Sequence, residues 1–109
     1  MKTKQEIQTI INDIKPQLYG RVNLPHGLHT EGRDRRPTQR LIFPKSFEGQ
    51  TVLDVGCAFG YWCFEAERLG AKKVVGFEIQ PPRLKQARFY KEINESQVEF
   101  HRQSIAQLP

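Results

Sequence analysis

Apolar positions near the N-terminus recur with a helical period. Ile7, Ile10, Ile11, Ile14 and Leu18 stand at i, i+3, i+4, i+7 and i+11. Lys4, Gln8, Asp13 and Lys15 occupy the rest of the circumference, so the spacing predicts an amphipathic helix over 3–18. Thr3 followed by Glu6 makes a capping box at its start, Pro16 weakens its last turn and Gly20 stops it. Such a helix packs as a lid or clasp on a main body. From 20 to 50 the periodicity is lost. Gly, Pro and His punctuate 20–32, and 33–40 holds almost no apolar residue, which predicts loop. Leu41–Phe43 fits a short helix or a short strand, broken by Pro44.

A different grammar starts at residue 51. Thr51–Val55 is a continuous β-rich run, as expected of a strand buried on both faces. Gly56–Gly60 is a small-residue turn, and Tyr61–Leu69 a helix stopped by Gly70. Lys73–Phe77 is a second buried strand, with Gly76 marking close backbone approach. Pro81 and Pro82 open a helix that runs out near Asn94–Ser96. Gln97–Gln103 alternates Val98 and Phe100 with Glu99 and His101, a third strand nearer a sheet edge. The order β-α-β-α-β implies right-handed crossovers and a parallel sheet. The predicted class is therefore α/β: a Rossmann-like parallel sheet of three strands, preceded by an N-terminal helix and loop. Two segments follow, 1–50 with the helix and the basic Gly/Pro/His-rich loop, and 51–109 with the sheet.

Length and composition narrow this further. A chain of 109 residues carries one modest core. No stretch nears the ~18 apolar residues of a membrane span. Charges at Lys2, Lys4, Glu6, Asp13 and Lys15 leave no unbroken apolar core for a secretory signal. Cys57 and Cys63 are too few for a disulfide scaffold and lack zinc-site neighbours, so no metal is expected and both read as small buried side chains. A cytoplasmic, reducing setting is the expectation. The net charge of +5 is uneven: residues 20–45 hold Arg21, Arg33, Arg35, Arg36, Arg40 and Lys45 against Glu31 and Asp34. Two readings of this segment stand, a phosphate-contacting surface for RNA or a merely solvated loop. Arg33, Arg35, Arg36 and Arg40 are the RNA-contact candidates. His26 and His29 either help to close a pocket or sit on the surface.

The chemistry concentrates in Val52-Leu53-Asp54-Val55-Gly56-Cys57-Ala58-Phe59-Gly60. This run leaves a strand, turns through small residues and enters a helix. Gly56 permits a positive-φ turn or close ligand approach, and Gly60 lets the helix sit tightly on the strand. The turn is expected to aim backbone N–H groups at a carboxylate or phosphate. Glu78, at the end of the second strand, is placed to accept both hydroxyls of a ribose. The spacing is G-x-x-x-G after an aspartate, not the G-x-G-x-x-G of dinucleotide sites. Asp54 would repel a phosphate but orient a cation, which favours S-adenosylmethionine, with its ammonium and sulfonium, over a dinucleotide. The plain alternative makes Asp54 a turn cap and the glycines turn residues only.

These residues resemble motif I and the following region of class I S-adenosylmethionine-dependent methyltransferases. The run 56–66, the stretch Leu84–Phe89 and Val22–Gly32 are similar to the enzymes related to the tRNA wobble-uridine 5-oxyacetate (carboxymethyl-transferring) group. The resemblance implies that Asp54, Gly56 and Gly60 surround the methionine moiety, with Cys57 and Ala58 supplying backbone. It also implies that Glu78 holds the ribose, that Ile79 lies against the adenine, and that Ser104 stands where many members carry an aspartate to the adenine amino group. Ala58 replaces a glycine common in that loop. The implied cofactor is S-adenosylmethionine or a derivative such as carboxy-S-adenosylmethionine, and tRNA or another RNA is the implied acceptor.

No catalytic residue is identified. No Ser/His/Asp or Cys/His set exists, and methyl transfer needs mainly positioning of two reactants. The class I fold has seven strands, and three are legible here, so this is a truncated form of it. Strand 51–55, normally mid-sheet, then becomes an exposed apolar edge. A second copy or a partner chain is expected to pair there. A non-catalytic S-adenosylmethionine-binding or interaction module that needs a second chain, or another enzyme acting on S-adenosylmethionine, are the alternative functions.

Overall fold

In the computed structural model, residues 1–13 and 21–107 are described. Helix α1 spans Lys4–Asp13. Its capping box closes in both directions: Thr3 N–H donates to Glu6 Oε1 and Glu6 N–H to Thr3 Oγ1, each at 3.1 Å. Ile7 is fully buried, with Ile10 and Ile11 against the same core. Ile14, Pro16, Leu18 and Gly20, expected to continue and stop this helix, lie outside the described residues.

Residues 21–33, expected as plain loop, form a small antiparallel loop structure. Arg21 N–H donates to the Arg33 carbonyl at 2.9 Å, Thr30 N–H to Val22 at 3.0 Å and Leu24 N–H to Leu28 at 2.8 Å. The tip is a single 3-10 turn, Pro25–Gly27. Val22 and Leu24 enter the core, beside residues of the two long helices that follow residue 60. Helix α2 spans Arg36–Ile42, where loop and then a helix-or-strand choice were expected. Asp34 nucleates it: its Oδ1 accepts from the Arg36 N–H at 3.0 Å, two residues on. The helical pattern was hidden because its apolar residues face out. Leu41 is 86% exposed and Ile42 63%.

The sheet is β1 (Thr51–Val55), β2 (Lys73–Phe77) and β3 (Glu99–His101), parallel, in the order β1-β2-β3. Helices α3 (Tyr61–Arg68) and α4 (Pro81–Asn94) are the two crossovers. The register pairs Leu53 with Val75 and Val55 with Phe77, then Val75 with Glu99 and Phe77 with His101. Both crossover helices cover the face that carries Val52, Val74, Gly76 and Phe100. Gly76 is obligatory there, since a Cβ would stand 2.9 Å from both Cys57 Sγ and Cys63 Sγ.

Two expectations change. β1 is not buried on both faces: Leu53 is 50% exposed and Val55 44%. Both crossover helices lie on one side and β1 ends the strand order, so among the described residues no strand pairs with its outer edge and its second face is half-exposed. The third strand is three residues, not the seven of 97–103. Its first residues are claimed by α3 instead, because Glu67 accepts from Ser96 Oγ and from Gln97 N–H, both at 2.7 Å.

Candidate functional site

The carboxyl ends of β1 and β2 are fastened together. The Phe77 carbonyl accepts from Gly56 N–H at 2.8 Å and from Cys57 N–H at 2.9 Å. The chain then rises through Ala58 at φ +49° to Gly60, which is left-handed and caps α3. A side chain at Gly60 would meet Phe100 and Phe64 at 2.9 Å. This glycine therefore serves close packing of helix on strand, as its spacing suggested.

Glu78 stands one residue past β2 and is only 4% exposed. Its Oε1 accepts from Ala58 N–H at 2.8 Å and its Oε2 from Gln80 N–H at 3.0 Å. Each oxygen keeps a second lone pair, so the carboxylate can still accept two further hydroxyls. The loop amides differ from expectation. Those of 56, 57 and 58 do not point outward to an anion; all three are spent on β2 and Glu78. The Glu78 carboxylate ties the loop to the end of β2.

Asp54 is half-buried beneath the loop, with Oδ2 accepting from Cys63 Sγ at 3.6 Å. Burial pushes its carboxyl pKa up, the thiol hydrogen bond opposes this, and the charge of Glu78 adds to the rise. The Cys63 thiol is pushed far up by its contact with Cys57 first, then by burial and by Asp54. Both cysteines are free and buried, and a thiol so hard to ionise is no nucleophile.

Above the loop lies a cavity of about 220 Å³, walled by Gly56, Cys57 and Ala58, by the aromatics Phe59, Tyr61 and Trp62, and by Arg35 and Arg83. No atom lies within 4 Å of where a Gly56 Cβ would stand, so that glycine leaves open space for a ligand. Ile79, 50% exposed, offers an apolar surface next to Glu78. Ser104 is half-buried just beyond β3, past Arg102, whose Nε donates to the Ile79 carbonyl at 3.1 Å. Of the predicted cofactor residues, Gly56, Cys57 and Ala58 line this cavity, whereas Asp54, Gly60, Glu78, Ile79 and Ser104 do not.

Of the four arginines singled out for RNA, only Arg36 and Arg40 share a surface. They line a second cavity, with Lys45 and Arg68, whereas Arg35 faces the glycine loop and Arg33 belongs to neither. Lys45 belongs to the same basic segment, whereas Arg68 escaped notice because it is far from the Arg33–Arg40 run in sequence. The histidines are engaged in the 21–33 loop: His26 Nε2 meets the Lys2 carbonyl at 3.0 Å and His29 Nδ1 the Thr30 carbonyl at 3.0 Å. Neither lines the cavity over the glycine loop. Among the described residues, no His/Cys/Asp/Glu group is built to hold a metal, and no helix is long and apolar enough to cross a membrane.

A methyltransferase domain family matches residues 46–109, more than half of the chain. The chain belongs to the methyltransferase family. The match starts just ahead of β1 and takes in the glycine loop and Glu78, but not Arg35. A tRNA U34 carboxymethyltransferase of Shewanella halifaxensis is 33% identical, aligned over 97% of this methyltransferase chain and 33% of its own length. A ribosomal protein L11 methyltransferase of Burkholderia mallei is 40% identical over 63% of this chain and 24% of its own. An S-adenosylmethionine-dependent methyltransferase from Mesorhizobium loti superposes with a TM-score of 0.55 at 27% identity, covering 68% of this chain and 33% of that one. The chain thus spans about a quarter to a third of these relatives. The fold is the α/β, Rossmann-like methyltransferase fold in truncated form.

Proposed function

We propose that this chain is the cofactor-binding half of an S-adenosylmethionine-dependent methyltransferase whose acceptor is RNA. The observation that carries the reading is Glu78: a buried carboxylate just past the end of β2, fixed by the N–H groups of Ala58 and Gln80, with a second lone pair left on each oxygen. That donor set fits an adenosine ribose. Ile79 supplies an apolar surface for the base, and Ser104 a polar side chain at the far end of the adenine. Cys57 and Ala58 shape the wall, while Asp54 and Gly60 hold the loop from beneath. When bound, the cofactor supplies a methyl group on a sulfonium, an electrophile that needs a positioned nucleophile more than an acid or base. Arg35 and Arg83 stand on the same wall, where the extra carboxylate of carboxy-S-adenosylmethionine would meet them.

RNA is favoured over protein as acceptor by the charge of residues 20–45, which carry six basic residues against two acidic ones. That reading places the protein in the cytoplasm. The edge of β1, unpaired among the described residues, and its half-exposed Leu53 and Val55 support a second reading of how the half-domain works. A second copy, or a partner chain, pairs with β1 and completes a sheet that the module cannot complete alone.

Titration calorimetry with S-adenosylmethionine tests the cofactor. Binding that Glu78→Ala abolishes supports the reading. No heat from the intact chain, or heat unchanged by Glu78→Ala, overturns it, along with any other enzyme acting on that cofactor.

A further inference from the structure

A cluster of basic residues lies away from the glycine loop. Between α2 and α3 lies a cavity of about 540 Å³ whose walls carry Arg36, Arg40, Lys45 and Arg68. The one carboxylate in it, Glu65, is 4% exposed and already occupied. Arg68 donates to its Oε1 at 2.8 and 3.0 Å, Gln39 Nε2 at 3.2 Å, and Asn23 Nδ2 reaches its Oε2 at 3.4 Å. Arg36 is held by Asp34 through Nε and a terminal nitrogen at 2.8–3.1 Å, with part of its fork left over. Arg40 and Lys45 are exposed and make no hydrogen bond or ion pair among the described residues. With Arg36 paired to Asp34 and Arg68 to Glu65, the positive excess of this concave surface rests on Arg40 and Lys45.

We propose that this cavity binds the phosphodiester backbone of an RNA strand, with Arg40 and Lys45 as the principal contacts and Arg36 and Arg68 as held supports. The proposal rests on the RNA-acceptor reading above and gives it a place in the fold. Guanidinium forks match phosphate oxygens in pairs, and a concave wall lets several phosphates be met at once. Phe43 forms the apolar part of the wall, but its ring is taken up by Phe47 and Trp62 at centroid distances of 5.0 and 4.8 Å. No free aromatic face is left there for a base to stack on, so recognition is of charge and not of sequence. The cavity shares no lining residue with the one over the glycine loop. RNA and cofactor would therefore occupy separate surfaces of one small domain.

The test uses the intact chain and a fluorescently labelled single-stranded oligoribonucleotide of mixed sequence, with anisotropy measured across a salt series. Each phosphate neutralised contributes about 0.7 to the slope of log K against log salt. Arg40→Ala with Lys45→Ala is expected to weaken binding and flatten that slope by about 1.4. Lys4→Ala with Lys85→Ala removes the same charge elsewhere on the exposed surface and is expected to change little. An equal loss from both pairs overturns the proposal, because it would mean diffuse attraction. So does an oligoglutamate of the same length that binds as tightly as the RNA. Calorimetry with S-adenosylmethionine separates this idea from the one it rests on. Unchanged heat in Arg40→Ala/Lys45→Ala, together with lost RNA binding, supports the cavity. Unchanged heat with unchanged RNA binding overturns the cavity and leaves the cofactor site standing.

Discussion

Gly76→Ala tests the packing that holds the glycine loop on the sheet. The new methyl would stand 2.9 Å from Cys57 Sγ, 2.9 Å from Cys63 Sγ and 3.0 Å from Phe100 Cδ1. Carbon atoms in favourable contact sit about 3.5–4.0 Å apart, so all three neighbours must retreat by more than half an ångström. Cys63 is fully buried on α3 and Phe100 is pinned edge-on to Phe64 at 5.6 Å, so neither has room to give. Overpacking of this kind costs about 1–3 kcal/mol. Replacing glycine also restricts the unfolded chain, which returns about 0.4–1 kcal/mol. The net expectation is a loss of about 1–2 kcal/mol, or roughly 5–15 °C in Tm for a domain this small. Trp62, the only tryptophan, sits on α3 over the same core and reports urea unfolding by its fluorescence. Because Cys57 belongs to the glycine loop and lines its cavity, affinity for S-adenosylmethionine should fall as well. Cys63→Ala removes one of the three clashing atoms, so the double variant should lose less than the two single losses combined, with a coupling of about 0.5–1 kcal/mol. An unchanged midpoint for Gly76→Ala, or strict additivity in the double variant, refutes the reasoning.

Asp54→Asn should raise Tm at neutral pH while weakening binding of the cofactor. The folded state raises the pKa of that carboxyl, so it holds the extra proton between the ordinary aspartate value and the raised one. Stability therefore falls as pH climbs through this window, and the asparagine variant should lose that fall in thermal scans across pH. Glu67→Ala should cost about 1–2 kcal/mol in urea unfolding, because it orphans Ser96 Oγ and Gln97 N–H where α3 meets the start of β3. Thr3→Ala should lower Tm by a few degrees through loss of the cap on α1. Leu53→Lys with Val55→Lys should convert any associated species to monomer in sedimentation velocity, and an unchanged profile would remove the β1 edge from consideration as an interface.

The sheet and its two crossover helices were legible because their signals are local. Gly56 and Gly60 bracket a turn, Pro81 and Pro82 open a helix, and Val74 and Val75 cannot sit comfortably in a loop. The class of the fold and the place of Glu78 follow from those elements alone. Four things were not legible, because each depends on how the chain packs. Helix α2 shows no core-facing stripe, because Leu41 and Ile42 point outward. The loop structure of 21–33 is closed by pairings between residues as far apart as Arg21 and Arg33, and Thr30 completes it by accepting from Val22 N–H through Oγ1 at 2.9 Å. The use of the loop amides depends on where the end of β2 falls in space, which spacing within the loop does not encode. The grouping of Arg36 and Arg40 with Lys45 and Arg68 was hidden for the same reason, since α3 enters the sequence some twenty residues later.

The double role of the Phe77 carbonyl carries a consequence for motion. A glycine-containing loop ordinarily exchanges its amide protons with solvent almost at once. Here the amides of Gly56, Cys57 and Ala58 open only when β1 parts from β2 or when Glu78 lets go. In native-state hydrogen exchange they should behave as sheet residues, not as loop residues. Their protection would then rise further as S-adenosylmethionine is added.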